Sequence, residues 1–254
     1  MPDDGLQAVD AVWTYGAGTR PLPHRLIPDS CPSLMIRIRR DRHGDVSDSA
    51  LFLVGGEVHS TWYRPGPLEL TIGLRVKPEF AISVLGIRPS ELRGGFHLPP
   101  RTVIATFGRI ADTAHFHAPD TVASKLCEAA RALTHTSDYR DEKLTAHAIR
   151  QSEGRQEIGV LARETGVSDR ALRRRFRDRT GIGPKAYARL VRLNAVIAGA
   201  DGLARPNWAQ LAAEHGFCDQ SHLIRDCLAI MGVPPATLHA ERRNEAEMSN
   251  TIAP

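Results

Sequence analysis

The clearest alternation of apolar and polar positions lies in the first hundred residues. Between residues 68 and 77 the even-numbered positions are apolar and the odd-numbered positions are polar or glycine. A period of two is typical of a half-buried strand. Shorter apolar runs at 34–39 and 51–54 also predict strands, because glycines and prolines punctuate the chain between them. We therefore expect a β-rich N-terminal part.

After Pro119 the apolar spacing changes to three and four residues, which is typical of helices. The pattern predicts a helix over 120–135 and a second over 139–151, and shorter helical stretches are expected earlier, at 79–85 and 103–111. The fold class predicted is α+β, with a β-rich domain followed by an all-α domain. The expected divisions are a β-rich domain at 1–118, a helical connector at 119–138, an all-α domain at 139–243 and a flexible tail at 244–254.

An internal repeat is the strongest pattern in the chain. Residues 161–167 recur fifty positions later at 211–217, with the leucine, alanine, glutamate and glycine at matching places. Beyond this stretch the offset becomes 51, so that Gly181 corresponds to Gly232. Self-similarity at a nearly fixed offset indicates two copies of one supersecondary unit.

Each copy has the sequence expected of a helix-turn-helix motif. A small alanine allows two helices to pack closely, a glycine four residues later can end the first helix with positive φ, and a capping residue then starts the second helix. These pairs are Ala162 and Ala212, Gly166 and Gly216, and Ser168 and Asp219. In the second copy, Asn207 and Gln210 also have the spacing of a capping box. Between the copies, 184–198 is expected to form one long helix.

Basic residues are concentrated in the repeated region. Residues 1–154 carry 18 Lys and Arg against 18 Asp and Glu, whereas residues 155–243 carry 15 against 9. In the helix expected over 169–180, Leu172 and Phe176 face inward while four arginines occupy the other face: Arg170, Arg173, Arg174 and Arg177. Arginine can donate two hydrogen bonds to guanine in the major groove. A solvated basic helix without a ligand is the alternative.

Residues 139–243 resemble the DNA-binding domain of the AraC/XylS family of bacterial transcriptional regulators. The matching residues include Leu161-Ala162, Leu172-x-Arg174-x-Phe176, Gly181-Ile182-Gly183-Pro184, Trp208-x-x-Leu211-Ala212, the run from Gly216 to Leu223 with Arg225, and Gly232-Val233-Pro234-Pro235. The sequence departs from the family at Gly183, where serine is usual, and at Leu223 and Cys227, where aromatic residues are usual or frequent.

The resemblance implies a sequence-specific regulator whose helices at 169–180 and 219–231 read bases in successive major grooves, about 34 Å apart. By position it assigns DNA contacts to Arg170, Arg173 and Arg174 in the first motif, beside Arg177, and to Gln220, Ser221, His222 and Arg225 in the second. Double-stranded DNA is the expected partner, and RNA polymerase, a small-molecule effector and a second copy of the chain are further candidates.

The N-terminal half resembles, less specifically, a sensor-like domain found in one branch of the same family, through residues 26–31, 72–78 and 85–87. That resemblance implies effector binding or dimerisation, although a DNA-binding module without sensing stays open. Trp13, Trp62 and Tyr63 are candidates to line an apolar pocket, with core packing as the alternative.

An enzyme is the main rival, with Cys31 as a nucleophile or His97, His115 and His117 as metal ligands. None of these has a diagnostic spacing, and a fused DNA-repair methyltransferase would need a cysteine cluster that the four dispersed cysteines do not supply. We therefore expect no catalysis, no cofactor and no bound metal. Because no apolar run could span a bilayer and the first residues are acidic, no membrane partner and a cytoplasmic location are expected.

Overall fold

The computed structural model describes residues 8–18, 21–92, 95–134, 158–164 and 166–246, and its fold class is α+β as the sequence predicts. Within these residues the N-terminal half contains seven strands. They are β1 (Val9–Gly16), β2 (His24–Leu26), β3 (Ser33–Arg40), β4 (Val46–Val54), β5 (Thr61–Tyr63), β6 (Glu69–Val76) and β7 (Phe96–His97). Five of them form one antiparallel sheet in the order β1-β6-β3-β4-β7, and β2 pairs with β5 in a separate two-stranded ribbon.

Three helices cover one face of the five-stranded sheet. They are α1 (Ala81–Leu85), α2 (Arg101–Thr113) and α3 (Pro119–Thr134). Alternate residues of the strands point toward them, such as Leu34, Ile36 and Ile38 of β3, and all three of these are fully buried. Short 3-10 helices at Pro78–Phe80, Pro89–Glu91 and Ala114–Phe116 connect the elements of this layer. The N-terminal half is thus a sheet with one helical layer.

Strand β6 is buried on both faces, so the half-buried strand predicted from its alternation is only partly right. Ile72 and Leu74 face the helices, whereas Glu69, Thr71 and Gly73 on the opposite face are also buried. The indole of Trp13, which is opposite Gly73 in the β1–β6 register, lies so close that a Cβ at Gly73 would overlap it. Polar residues on a strand therefore did not indicate solvent exposure here.

A buried carboxylate ties the β2–β5 ribbon to the outer face of the sheet. Glu69 accepts hydrogen bonds from the Tyr63 hydroxyl, from Arg39 Nε at 2.9 Å and from the Gly66 N–H at 3.1 Å. Burial by itself would raise the pKa of Glu69, but these hydrogen bonds stabilise the carboxylate and hold its pKa below the ordinary value. Burial, together with Glu69, raises the pKa of Tyr63 to about 12.

Helix α3 is part of the N-terminal core. Val122, Leu126 and Ala130 are fully buried in the same hydrophobic cluster as the sheet residues. The sequence predicts this segment as a connector, and its packing is instead that of a domain element. The helix predicted over 139–151 lies outside the described residues, so the connecting role stays a prediction.

Six helices form the C-terminal half within the described residues. They are α4 (Ile158–Glu164), α5 (Asp169–Thr180), α6 (Pro184–Ala200), α7 (Trp208–Glu214), α8 (Gln220–Met231) and α9 (Pro235–Ala246). A small core around Leu172 and Phe176 joins α4, α5 and α6. A larger core around Leu193 and Leu223 joins α6, α7, α8 and α9. None of the helices described is long and apolar enough to cross a membrane.

Candidate nucleic-acid interface

The first repeat forms a helix-turn-helix from α4 and α5. Gly166 follows α4 with φ of +65°, a conformation that costs glycine nothing but strains residues with a Cβ. Ser168 then caps α5, because its Oγ accepts a hydrogen bond from the Ala171 N–H at 3.3 Å. Gly181 ends α5 in the left-handed conformation with φ of +76°. The turn and both ends of the second helix thus follow from single residues of the repeat.

The second repeat forms the same unit from α7 and α8. Gly216 has φ of +75°, and Gly232 ends α8 with φ of +75°. Asp219 caps α8 through Oδ1, which accepts from the His222 N–H at 2.6 Å. The matching glycines therefore adopt matching backbone conformations fifty and fifty-one residues apart, which confirms the repeat predicted from the sequence.

Two predicted details of the helix starts have different outcomes. Asn207 caps α7, its Oδ1 accepting from the Gln210 N–H at 3.2 Å, but the Gln210 side chain binds Glu214 at 2.8 Å rather than returning to the cap. The predicted capping box is therefore only half formed. Gly183 precedes α6 without a side-chain cap, as expected for glycine in place of serine.

Helix α5 is buried on one face and carries arginines on the other. Leu172 and Phe176 are fully buried, and the Phe176 ring meets Tyr187 of α6 edge-on with centroids 5.3 Å apart. The predicted DNA-contacting arginines of this helix are all exposed: Arg170, Arg173, Arg174 and Arg177. Arg173 Nε lies 3.0 Å from Asp169 Oδ1, a surface pair that is weak enough to be exchanged for a phosphate or a base.

Helix α8 exposes three of its four predicted contact residues. Gln220, Ser221 and Arg225 are exposed near the start of the helix, and Arg225 Nε donates to the Ser221 carbonyl at 3.3 Å. These side chains present one amide, one hydroxyl and one guanidinium. This is a set that can pair with the edges of bases in a major groove.

The fourth, His222, makes contacts within the motif. Its Nδ1 lies 3.4 Å from the Cys218 N, its ring meets Phe217 edge-on at 5.3 Å, and its Nε2 lies 3.8 Å from a carboxylate oxygen of Asp226. The ring is half-buried by these contacts. A DNA-contacting role for His222 stays a prediction, and its contacts in the structure favour a role in shaping the turn.

An ion pair that the sequence does not predict joins α6 to α8. Arg189 Nη2 donates to Asp226 Oδ1 at 2.8 Å, and Nε of the same guanidinium donates to that oxygen at 3.2 Å. Asp226 is buried on α8, directly behind its exposed face. The pair fixes the second recognition helix against the long helix between the motifs, and the sequence offers no local signal because the partners are 37 residues apart.

Helix α6 separates the two motifs. Its inward residues follow helical spacing, and Tyr187, Leu190 and Ile197 are buried as the sequence predicts. It packs on α5 at its beginning and on α7 and α8 further along. At 1.5 Å per residue its 17 residues extend roughly 25 Å, which sets a fixed separation between the motifs.

The surroundings of the proposed nucleophile and metal ligands do not favour catalysis or metal binding. Burial raises the pKa of the Cys31 thiol well above its ordinary value, and Asp29 raises it further, which makes Cys31 a poor nucleophile. His117 Nε2 is paired with Lys125 at 3.0 Å. Among the residues that the structure describes, no three His, Cys, Asp or Glu side chains are grouped so that they could hold a metal ion.

The three aromatic residues proposed to line an effector pocket each contact a different residue. Trp13 packs over Gly73, Tyr63 binds Glu69, and Trp62 is 53% exposed with the Arg25 guanidinium 4.7 Å above its ring. Two of the three therefore cover the outer face of the sheet, while Trp62 packs against Arg25. This arrangement favours packing as their role.

Comparison with known proteins supports the assignment of the C-terminal half. Residues 161–241 match the family model described as a helix-turn-helix domain. This match begins in α4, ends in α9 and includes both motifs. A search of curated protein sequences found no match.

Several solved structures of ToxT from Vibrio cholerae are similar to the chain. An apo ToxT variant is 13% identical over 91% of this chain and 96% of its own, with a TM-score of 0.46. Wild-type ToxT bound to an unsaturated fatty acid is 13% identical over 90% and 93%, with a TM-score of 0.43. A further ToxT structure is 9% identical over 92% and 98%, with a TM-score of 0.45.

Two capped helix-turn-helix motifs, held apart by one long helix and each exposing polar residues on its second helix, define a DNA-binding protein. Residues 161–241, which match the helix-turn-helix family model, contain both motifs, and the chain is a helix-turn-helix DNA-binding transcription regulator.

Proposed function

We propose that α5 and α8 read one DNA duplex in two successive major grooves. The observation that carries this proposal is the matched exposure of the two helices: the polar residues in their N-terminal turns face solvent, while their last residues, Thr180 in α5 and Met231 in α8, are buried. The rigid spacing supplied by α6 supports reading from one side of the duplex.

In the first motif, Arg170, Arg173 and Arg174 are proposed to contact bases. They lie in the first two turns of α5, the part of a recognition helix that reaches base edges. Arg177 lies two turns after Arg170 on the same face and would contact a base or the flanking phosphate backbone. Arginine hydrogen bonds to guanine O6 and N7 are the specific contact expected here.

In the second motif, Gln220, Ser221 and Arg225 are proposed as the reading residues. Glutamine can pair with adenine through N6 and N7, and arginine with guanine, so the second half-site would differ in sequence from the first. His222 would act next to them by holding Cys218 and Phe217 of the turn in place. The operator is therefore expected to have two unlike half-sites.

The N-terminal half is proposed as the regulatory part, binding an effector or a second copy of the chain, and the chain is proposed to have no enzymatic activity. The raised pKa of the half-buried Cys31 supports the latter, because it makes this thiol a poor nucleophile. We propose domains at 1–118 and 139–243 joined by a connector at 119–138, whose helix α3 packs on the N-terminal core. Sedimentation of the full chain, and thermal shifts with small metabolites, would separate dimerisation from effector binding.

The DNA proposal is tested with a duplex that the full chain selects from a random-sequence pool. Footprinting should show protection of two adjacent major grooves on one face, and protection of a single groove would contradict the two-motif model. Arg173→Ala should weaken binding to the selected duplex by about 1–3 kcal/mol, with little change on random DNA.

A matched control is Arg42→Ala, which removes the same charge from an exposed turn between β3 and β4. It should change neither affinity. If Arg173→Ala instead weakened binding to selected and random DNA equally, Arg173 would contact only phosphates.

A further inference from the structure

The last turn of α8 is capped by residues of the N-terminal half. The Ser60 N–H donates to the Ile230 carbonyl at 2.9 Å, the Ser60 hydroxyl donates to the Met231 carbonyl at 2.8 Å, and Arg25 Nη1 donates to the same carbonyl at 2.7 Å. Carbonyls at a helix C-terminus have no partner within the helix, and a cation there is favoured by the helix dipole. The N-terminal half thus supplies three hydrogen bonds to the end of the second recognition helix.

Arg25 is held in one orientation by its other contacts. Its Nε lies 2.8 Å from Glu241 Oε2 of α9, its guanidinium lies over the Trp62 ring, and its side chain is only 10% exposed. A planar guanidinium with fixed partners on three sides loses little further freedom when it binds the helix end. Arg25 therefore connects α8, α9 and the β2–β5 ribbon rigidly.

The end of the first recognition helix also rests on the N-terminal half. Arg179 Nη1 donates to the Glu79 carbonyl at 3.5 Å, and a Cβ built on Gly181 would lie 3.1 Å from the Pro89 carbonyl oxygen. Between the motifs, Asn194 Nδ2 of α6 donates to the Pro28 carbonyl at 3.0 Å. One domain therefore touches the C-terminal ends of both recognition helices and the helix that separates them.

These contacts leave the reading residues uncovered. Arg170, Arg174, Gln220 and Arg225 are exposed although the two halves are in contact. A contact that blocked DNA would be expected to bury them. The N-terminal half instead holds the opposite ends of the helices, where it can set their relative orientation without competing with DNA.

We infer that Arg25 is a positioning residue, which holds the second recognition helix in the orientation that lets both motifs engage one duplex. This inference rests on the proposed two-groove reading. A helix pair that is already oriented pays less in lost freedom when it binds, so the contact strengthens binding to DNA that carries both half-sites. It adds nothing on DNA that carries only the half-site of the first motif.

The experiment uses full-length Arg25→Ala, Arg25→Lys and Ser60→Ala with Arg42→Ala as the control. Affinities are measured for the selected duplex and for the same duplex with the half-site of either motif scrambled. For Arg25→Ala we expect a loss of roughly fivefold or more on the intact duplex, the lower end of coupling between sites, and no change on DNA with only the first half-site. Lysine keeps the charge without the planar fork and should recover only part of the loss.

Ser60→Ala removes one hydroxyl and should shift affinity in the same direction by less, so it decides the matter if Arg25→Ala does not fold. Circular dichroism and the melting temperature establish folding. Tighter binding by the variants would show that the contact inhibits, and unchanged binding by folded variants would show that it does not position the helix. Either result overturns the inference. Protection of a single groove by the unaltered protein would instead overturn the two-groove proposal.

Discussion

Replacing the four glycines of the repeat by alanine tests the contact between the two halves, because the variants should differ in their free energy of unfolding. Gly166, Gly181, Gly216 and Gly232 have φ between +65° and +76°. This left-handed conformation destabilises a residue with a Cβ by roughly 1–2 kcal/mol. Replacing each glycine by alanine should therefore reduce the free energy of unfolding by about that amount wherever space is available.

Space differs sharply among the four sites. Among the residues that the structure describes, a Cβ at Gly166 meets no atom within 4 Å, and at Gly216 and Gly232 the nearest atoms are flexible arginine side chains at 3.7 and 3.9 Å. At Gly181 the nearest atom is the Pro89 carbonyl oxygen, 3.1 Å away. That carbonyl accepts a hydrogen bond from the Leu92 N–H, so it cannot retreat without breaking a 3-10 turn. We expect Gly181→Ala to cost about 1 kcal/mol more than the others, as in other overpacked sites.

Urea unfolding of the four variants, followed by circular dichroism and by tryptophan fluorescence, measures the difference. Trp13 and Trp62 report on the N-terminal half and Trp208 on the C-terminal half, so non-coincident transitions would show that the halves unfold separately. Gly166→Ala is the matched control for backbone strain alone. Equal losses for Gly166→Ala and Gly181→Ala would refute a close contact between α5 and the N-terminal half.

Three further predictions concern single side chains. The exposed Cys218 should react with a thiol reagent in the native protein faster than the half-buried Cys31, because burial raises the pKa of the Cys31 thiol. The pKa of Glu69 is lower in the folded protein than in the unfolded chain, where it is about 4.3, so the ionised carboxylate stabilises the fold above that pH. This stabilisation is lost as the pH falls through the folded pKa. Glu69→Gln should therefore make the free energy of unfolding depend less on pH in the acid range. Asp226→Ala leaves Arg189 without its carboxylate partner and should lower the free energy of unfolding in urea by about 1.5–3 kcal/mol. The control Arg42→Ala should leave that free energy unchanged.

The helices of the C-terminal third could be predicted closely because the signals for their starts and ends are local in the sequence. The recognition helix predicted over 169–180 has those bounds in the structure, and the one predicted over 219–231 begins one residue later because Asp219 serves as its cap. Caps, left-handed glycines and inward spacing are properties of single residues and their near neighbours. The predicted partner of Gln210 was wrong, since Glu214 accepts a hydrogen bond from the same side-chain amide.

The β-rich half was predicted less completely because its strands depend on distant partners. The apolar runs in β3, β4 and β6 were recognised, but β1, β2, β5 and β7 were not. Strand β1 pairs with β6 some sixty residues away, and Trp13 on it buries a face that alternation assigns to solvent. β-propensity reflects the neighbours across a sheet more than the strand itself. The same holds in the candidate site for Asp226, whose partner Arg189 is 37 residues away on α6.

The position of the contacts between the halves bears on how a regulatory signal would cross. The sequence predicts helix 120–135 as the connector between the halves, yet that helix is packed in the N-terminal core. Strand β5 offers a shorter path, because Tyr63 binds Glu69 on the outer face of the sheet while the adjacent Trp62 lies under Arg25. Since Arg25 binds the end of α8, a ligand or partner that displaced β5 would alter the second recognition helix directly, with no movement of α3.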